Sequence, residues 1–235
     1  MRQIILDTET TGMDYRKGHR IVEIGCVELV GRKLTQRNYH AYLNPECQIE
    51  AGAQAVHGLT NEFLQDKPKF AEIATEFVEF IQGAELLIHN AEFDRGFLDN
   101  EFGLLGLPSL ASISTNIVDT LKLARELRPG RKNSLDALCR EYAIDNSGRQ
   151  LHGALLDAEL LADVYLAMTR GQDNLIMDLS VTPQTEVGAL VEGGTVPLVV
   201  LRASDAELAE HERVLAEVAK ESKGKCLWLA EPAAG

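Results

Sequence analysis

The sequence predicts an α/β domain: a mixed five-stranded sheet flanked by helices, followed by a flexible linker and a small C-terminal segment. Three observations predict it. The first 43 residues hold three runs rich in β-branched and aromatic residues, separated by turn residues. From Phe70 to Met168, segments of helical periodicity alternate with short apolar runs. Past Arg170-Gly171 that periodicity fades.

Arg2 to Asp7 reads as the first strand, and Thr10-Thr11-Gly12 as the turn that ends it, with Gly12 free to adopt a positive φ. Ile21 to Val30 is a longer β-branched run, closed by a turn at Gly31-Arg32-Lys33. Asn38 to Leu43 is the third strand, stopped by Asn44-Pro45. Short turns pair strands antiparallel, so the domain opens as a meander. Phe70, Ile73, Ala74, Phe77, Val78 and Ile81 then recur at helical spacing. Glu85 to His89 is a short buried strand, and Asn90 begins the next helix, marked by Phe93, Phe97, Leu98 and Phe102. Asn116 to Asp119 is the fifth strand, and Ser134 caps a further helix. Ala154 to Met168 is the strongest helical pattern in the chain.

Bulk properties narrow the function. With 235 residues, the chain is long enough for one good domain and a smaller appendage. Its net charge of −13 excludes a protein that coats nucleic acid through phosphate contacts alone. Action on nucleic acid still fits, if metal ions offset the acids and a partner supplies the grip. Cys26, Cys47, Cys139 and Cys226 lie far apart with no Cys-x-x-Cys, which argues against a zinc site or a disulfide framework. No charged-then-apolar leader and no stretch of membrane-spanning length stand out, so the expected setting is soluble, reducing and intracellular, with no membrane partner.

Chemistry concentrates at element ends. Asp7 and Glu9 alternate with Thr8, so both side chains leave an extended strand on one face. Two carboxylates that close repel unless a cation or a shared proton lies between them. A bare Asp-x-Glu is as readily a solvated strand tip, so the other ligands decide. Asp94 falls in the first turn of the helix after the fourth strand, where the helix dipole tolerates an anion. Asp157 belongs to the long helix, and His152 lies on the chain leading into it. Such positions gather at one edge of an α/β sheet. Four carboxylates without cysteine favour hard cations, Mg²⁺ or Mn²⁺, and can hold two of them about 4 Å apart for phosphodiester hydrolysis. A histidine ordinarily titrates near neutrality and suits the base that deprotonates the attacking water.

Asp7-x-Glu9, Asn90-x-x-Phe93-Asp94 and His152-x-Ala154-x-x-Asp157 together resemble the three motifs of the DnaQ-like 3′→5′ exonucleases, in the subgroup with histidine in the third motif. The resemblance implies a ribonuclease-H-like fold. It implies that Asp7, Glu9 and Asp157 hold the tighter metal and touch the substrate, that Asp7 bridges to a second ion with Asp94 behind it, and that His152 is the general base. His57, in Val56-His57-Gly58, matches a family residue beside the terminal nucleotide. A nucleotide-contacting glutamate found five residues before that histidine in some members is Gly52 here, with Glu50 nearby, so this contact is in doubt.

The resemblance runs over nearly the whole chain to the family's proofreading members. It therefore implies excision of single-stranded or mispaired 3′ DNA ends beside the polymerase (alpha) subunit of a bacterial replicase and a sliding clamp, and leaves open whether a small accessory subunit joins them. Domain bounds follow: a nuclease at 1–171, a linker at 172–195 and a polymerase-binding segment at 196–235. Gln172, Leu175 and Met177 resemble a short clamp-binding peptide at the head of the linker. Val196 to Leu201 is a candidate strand, Ser204-Asp-Ala-Glu207 opens a capped helix to about Lys220, and Trp228 lies in the tail. Two other functions remain open: a stand-alone member of the family trimming RNA ends, and a non-catalytic bridge between clamp and polymerase.

Overall fold

A computed structural model describes residues 1–149, 151–170 and 203–222. The chain divides into two compact units, Met1–Thr182 and Pro183–Gly235. In the first, β1 (Arg2–Thr10), β2 (Ile21–Val30) and β3 (Lys33–Tyr42) form the antiparallel meander. The first strand runs three residues past Asp7, so both acids of the Asp-x-Glu pair lie inside it. Gly31 and Arg32, both at positive φ, make the β2–β3 turn, and β3 begins five residues before Asn38.

Next come α1 (Ala51–His57), α2 (Asn61–Leu64), α3 (Phe70–Ile81), β4 (Glu85–Ile88), α4 (Ala91–Leu104) and α5 (Leu110–Ile113). They are followed by β5 (Asn116–Asp119), α6 (Thr120–Leu127), α7 (Leu135–Glu141) and α8 (Ala154–Met168). The sheet order is β3-β2-β1-β4-β5, with β4 parallel to both β1 and β5. This is the mixed five-stranded sheet expected of a ribonuclease-H-like domain.

Strand alternation assigns the two faces of β1. Ile4 and Leu6 pack with Phe77, Phe97 and Phe102 of α3 and α4. Ile5 turns to the other face and packs with Ala158, Leu161 and Ala162 of α8. Asp7 and Glu9 share the parity of Ile5 and so face α8, whereas Thr8 faces α4.

Two local expectations are corrected. Gly12 is not at positive φ. Its missing side chain makes room instead for the His19 ring, which a Cβ there would approach to 2.5 Å. Ser134 stands at the N-cap of α7 without a side-chain cap bond, and it lines the large cavity described below.

In the second unit, α9 (Asp205–Glu221) begins at Ser204 with the expected capping box: Glu207 N–H donates to Ser204 Oγ, and the Glu207 carboxylate accepts from Ser204 N–H at 2.8 Å. Gln172, Leu175, Met177, the Val196–Leu201 run and Trp228 lie outside the described residues. Among the described residues, no helix is long and apolar enough to cross a membrane.

Candidate active site

Four acids converge at the tip of β1 because three elements are held there. The N-terminus of α8 rests on β2 at Gly25, the residue paired with Asp7; a Cβ on Gly25 would strike the backbone of Ala154 and Leu155. This close approach brings Asp157, in the first turn of α8, over Asp7 and Glu9. On the opposite face, Asp94 of α4 is fixed by two bonds to one residue: Oδ1 accepts from Thr8 N–H at 3.0 Å and from Thr8 Oγ1 at 2.7 Å. Asn90 begins α4 in the left-handed region, which asparagine tolerates.

The loop before α8 is tied down as well. His152 N–H donates to Val56 O at 3.1 Å, joining it to α1. Gly58 ends α1 at φ 74, and a Cβ there would meet the Leu151 side chain at 2.6 Å. His152 Nδ1 lies 3.6 Å from Asp157 Oδ2. Ligand atoms of Glu9, His152 and Asp157 all fall within 4.8 Å of one another.

Burial and mutual repulsion raise the carboxyls of the cluster. Burial, then Asp94, Glu9 and Asp157, push the Asp7 carboxyl well above the carboxylate range. Burial and neighbouring acids, Asp157 foremost, push Glu9 up to about 8. Burial raises Asp94 to about 7 against the opposing pull of the Thr8 hydrogen bonds. Oxygen donors so crowded fit hard divalent ions.

A cavity of about 740 Å³ opens over these groups, lined by Asp7, Glu9, Asp94, His152 and Asp157 among others. A second, of about 350 Å³, meets it at Thr8, Glu9 and Phe93 and holds His57, Val56, Glu50 and Gly52. His57 is buried, and its Nδ1 accepts from Leu59 N–H at 3.0 Å. Glu50 pairs with His19 at 3.2 Å.

Sequence reasoning missed the positive charge around the cavity. Arg125, Arg131, Lys132 and Arg149 line it. Three basic residues in the five from Arg128 to Lys132 were the available signal for part of this group. Arg149 carried no signal, because its importance comes only from folding against Asp157, Asp136 and His152.

A mixed sheet with buried carboxylates and a histidine at the tip of its central strand defines the class of a metal-dependent nuclease. The family model described as Exonuclease matches residues 4–165, and the chain belongs to that exonuclease family. The chain is 50% identical over 239 residues to DNA polymerase III subunit epsilon of Salmonella typhimurium, covering 97% of this chain and 98% of that protein. The Escherichia coli protein of the same name gives the same figures, and that of Haemophilus influenzae is 46% identical over 242 residues, covering 97% and 94%. Among solved structures, exonuclease X in complex with 5′ overhanging duplex DNA superposes with a TM-score of 0.58 at 27% identity, over 73% of this chain and 93% of that one. The nuclease domain of 3′hExo, a DEDDh family member bound to rAMP, has the same fold, with a TM-score of 0.63 at 19% identity over 72% and 92%.

Proposed function

We propose that the chain is the 3′→5′ proofreading exonuclease subunit of bacterial DNA polymerase III, removing mispaired 3′-terminal deoxynucleotides as monophosphates. The observation that carries this reading is the cluster of Asp7, Glu9, Asp94 and Asp157 beside His152 in one cavity. The end-to-end likeness to epsilon subunits, reaching past the 4–165 nuclease segment, supports the replicase setting. That setting is the cytoplasmic replisome.

Asp7, Glu9 and Asp157 would hold one Mg²⁺ or Mn²⁺, and Asp7 with Asp94 a second. Two such ions, when bound, activate water and offset charge on the leaving oxygen of an in-line displacement. His152 takes the proton of the attacking water through its imidazole, which is half exposed and lies 3.6 Å from Asp157 Oδ2. Thr8 holds Asp94 from behind, so one acid stays fixed while others meet the substrate. Asp7, Glu9, Asp157 and His57 form the substrate side, with His57 beside the terminal nucleotide in the smaller, less polar cavity. Arg125, Arg131 and Lys132 supply local positive charge for the phosphate backbone in a chain that is acidic overall.

The remaining segments fit a tethered enzyme. Residues 1–171 form the nuclease and 172–195 a linker. Gln172, Leu175 and Met177 would engage the sliding clamp, and 196–235 the polymerase (alpha) subunit. Weak contacts of this kind become useful when linked. The test is co-purification with the polymerase subunit, followed by mismatch excision by the complex on DNA and on RNA ends. Excision of a mispaired DNA terminus, faster in the complex, is expected. Preference for RNA ends with no binding to the polymerase would overturn the assignment.

A further inference from the structure

Arg149 touches three groups of the site with one guanidinium. Nε and Nη2 fork onto the two oxygens of Asp157, with Nη2 2.7 Å from Oδ2. The same Nη2 lies 2.9 Å from His152 Nδ1, and Nη1 donates to Asp136 Oδ1 at 2.8 Å. The Arg149 side chain is only 7% exposed and Asp157 only 4%, whereas Asp136 is half exposed. We propose that Arg149 is a positioning residue, an internal cation that holds Asp157 and His152 together and is exchanged for the divalent ion when the site loads.

The inference rests on Asp157 being a metal ligand. Both Asp157 oxygens are engaged by the fork, and the carboxylate is buried. An ion that takes Asp157 as ligand therefore meets a like charge at contact distance. The guanidinium is built to let go in one direction. Asp136 stands on α7, outside the acid cluster, so Nη1 can keep that anchor while Nε and Nη2 leave Asp157. The same movement releases His152 Nδ1. A bidentate fork of this kind is specific to arginine, and lysine brings the charge without it.

Mn²⁺ binding to the full chain, without DNA, tests this by titration calorimetry. Arg149→Ala, and the size-preserving Arg149→Gln, should bind Mn²⁺ at least several-fold more tightly than wild type. Arg149→Lys should fall between. The thermal midpoint of the ion-free variants should drop, and that of the Mn²⁺-loaded variants should drop less. If Arg149→Ala does not fold, Arg149→Gln decides. Unchanged or weaker Mn²⁺ binding in the folded variants would overturn the exchange. A wild-type chain that takes up no Mn²⁺ would overturn both this inference and the metal site beneath it.

Discussion

Gly25 stands across from Asp7 in the β1–β2 ladder and carries the backbone of Ala154 and Leu155 on its open face. One missing side chain thus sets the distance between the strand that bears Asp7 and the helix that bears Asp157. Gly25→Ala should lift the start of α8 and cost about 1–3 kcal/mol through overpacking. Excision should fall further than that loss implies, since Asp157 moves with the helix. Thermal denaturation alongside an excision assay checks this, and full activity in Gly25→Ala would show that Asp157 is not placed by this contact.

The raised carboxyls make the ion-free nuclease sensitive to alkali. Glu9 titrates at about 8 in the fold against an ordinary 4.5, and Asp94 at about 7 against 3.8. Between those limits the folded chain keeps protons that the unfolded chain has shed, so stability falls as pH rises from about 4 to 8. The thermal midpoint with chelator present should drop steadily across this window. Mg²⁺ or Mn²⁺ should restore more stability at pH 8 than at pH 5, because ligands must be deprotonated to bind. Asp7→Ala should abolish excision, flatten this dependence and leave the domain folded, since it removes one of the mutually repelling acids. A midpoint that climbs steadily from pH 4 to 8 with chelator would contradict the crowded-acid account.

The strands and long helices were legible in the sequence because each carries a periodicity of its own. Ile21–Val30, Phe70–Ile81, Asn116–Asp119 and Ala154–Met168 have the bounds their patterns predict. The short helices α1 and α2 were not, since four to seven residues give too few repeats of an apolar face. Among site residues, the acids and His152 were visible from type and spacing, and the structure brings them to one cavity. Gly25 was hidden inside an ordinary β-branched run. Its role depends on what α8 does 129 residues later, and no local pattern records such a contact.

His152 should be separable from the proposed metal ligands by kinetics. Its backbone is held by Val56 O, while its side chain is 47% exposed, so His152→Ala leaves the loop in place. Losing a positioned general base should slow the chemical step about 10²–10⁴-fold. Higher pH should recover part of the rate by supplying hydroxide. Metal affinity, measured by calorimetry, should be largely kept. Abolished metal uptake would make His152 a ligand instead, which its place beside Glu9 and Asp157 permits.

A chain ending at Gly171 should remain a folded, active exonuclease and should lose the polymerase. All five site residues precede that point, and α8 ends at Met168. The cut has to spare Thr169. Arg32 of the β2–β3 turn donates from Nη1 to Thr169 Oγ1 at 2.9 Å and from Nη2 to Leu166 O at 3.2 Å, and so ties the end of α8 to the sheet. Removing those two residues should therefore fray α8, whereas ending at Gly171 should not. The portion removed includes α9, whose Leu208, Val214 and Val218 are exposed, and the tail that holds Trp228. Apolar side chains left open on a helix are the material of a partner interface. With a net charge of −13, the full chain should depend on a partner to stay near DNA, so joining the polymerase should raise its excision at a primer end. The truncated chain should show no such rise, yet should digest short single strands as the full chain does. Co-elution of the truncated chain with the polymerase would move the interface onto the nuclease domain.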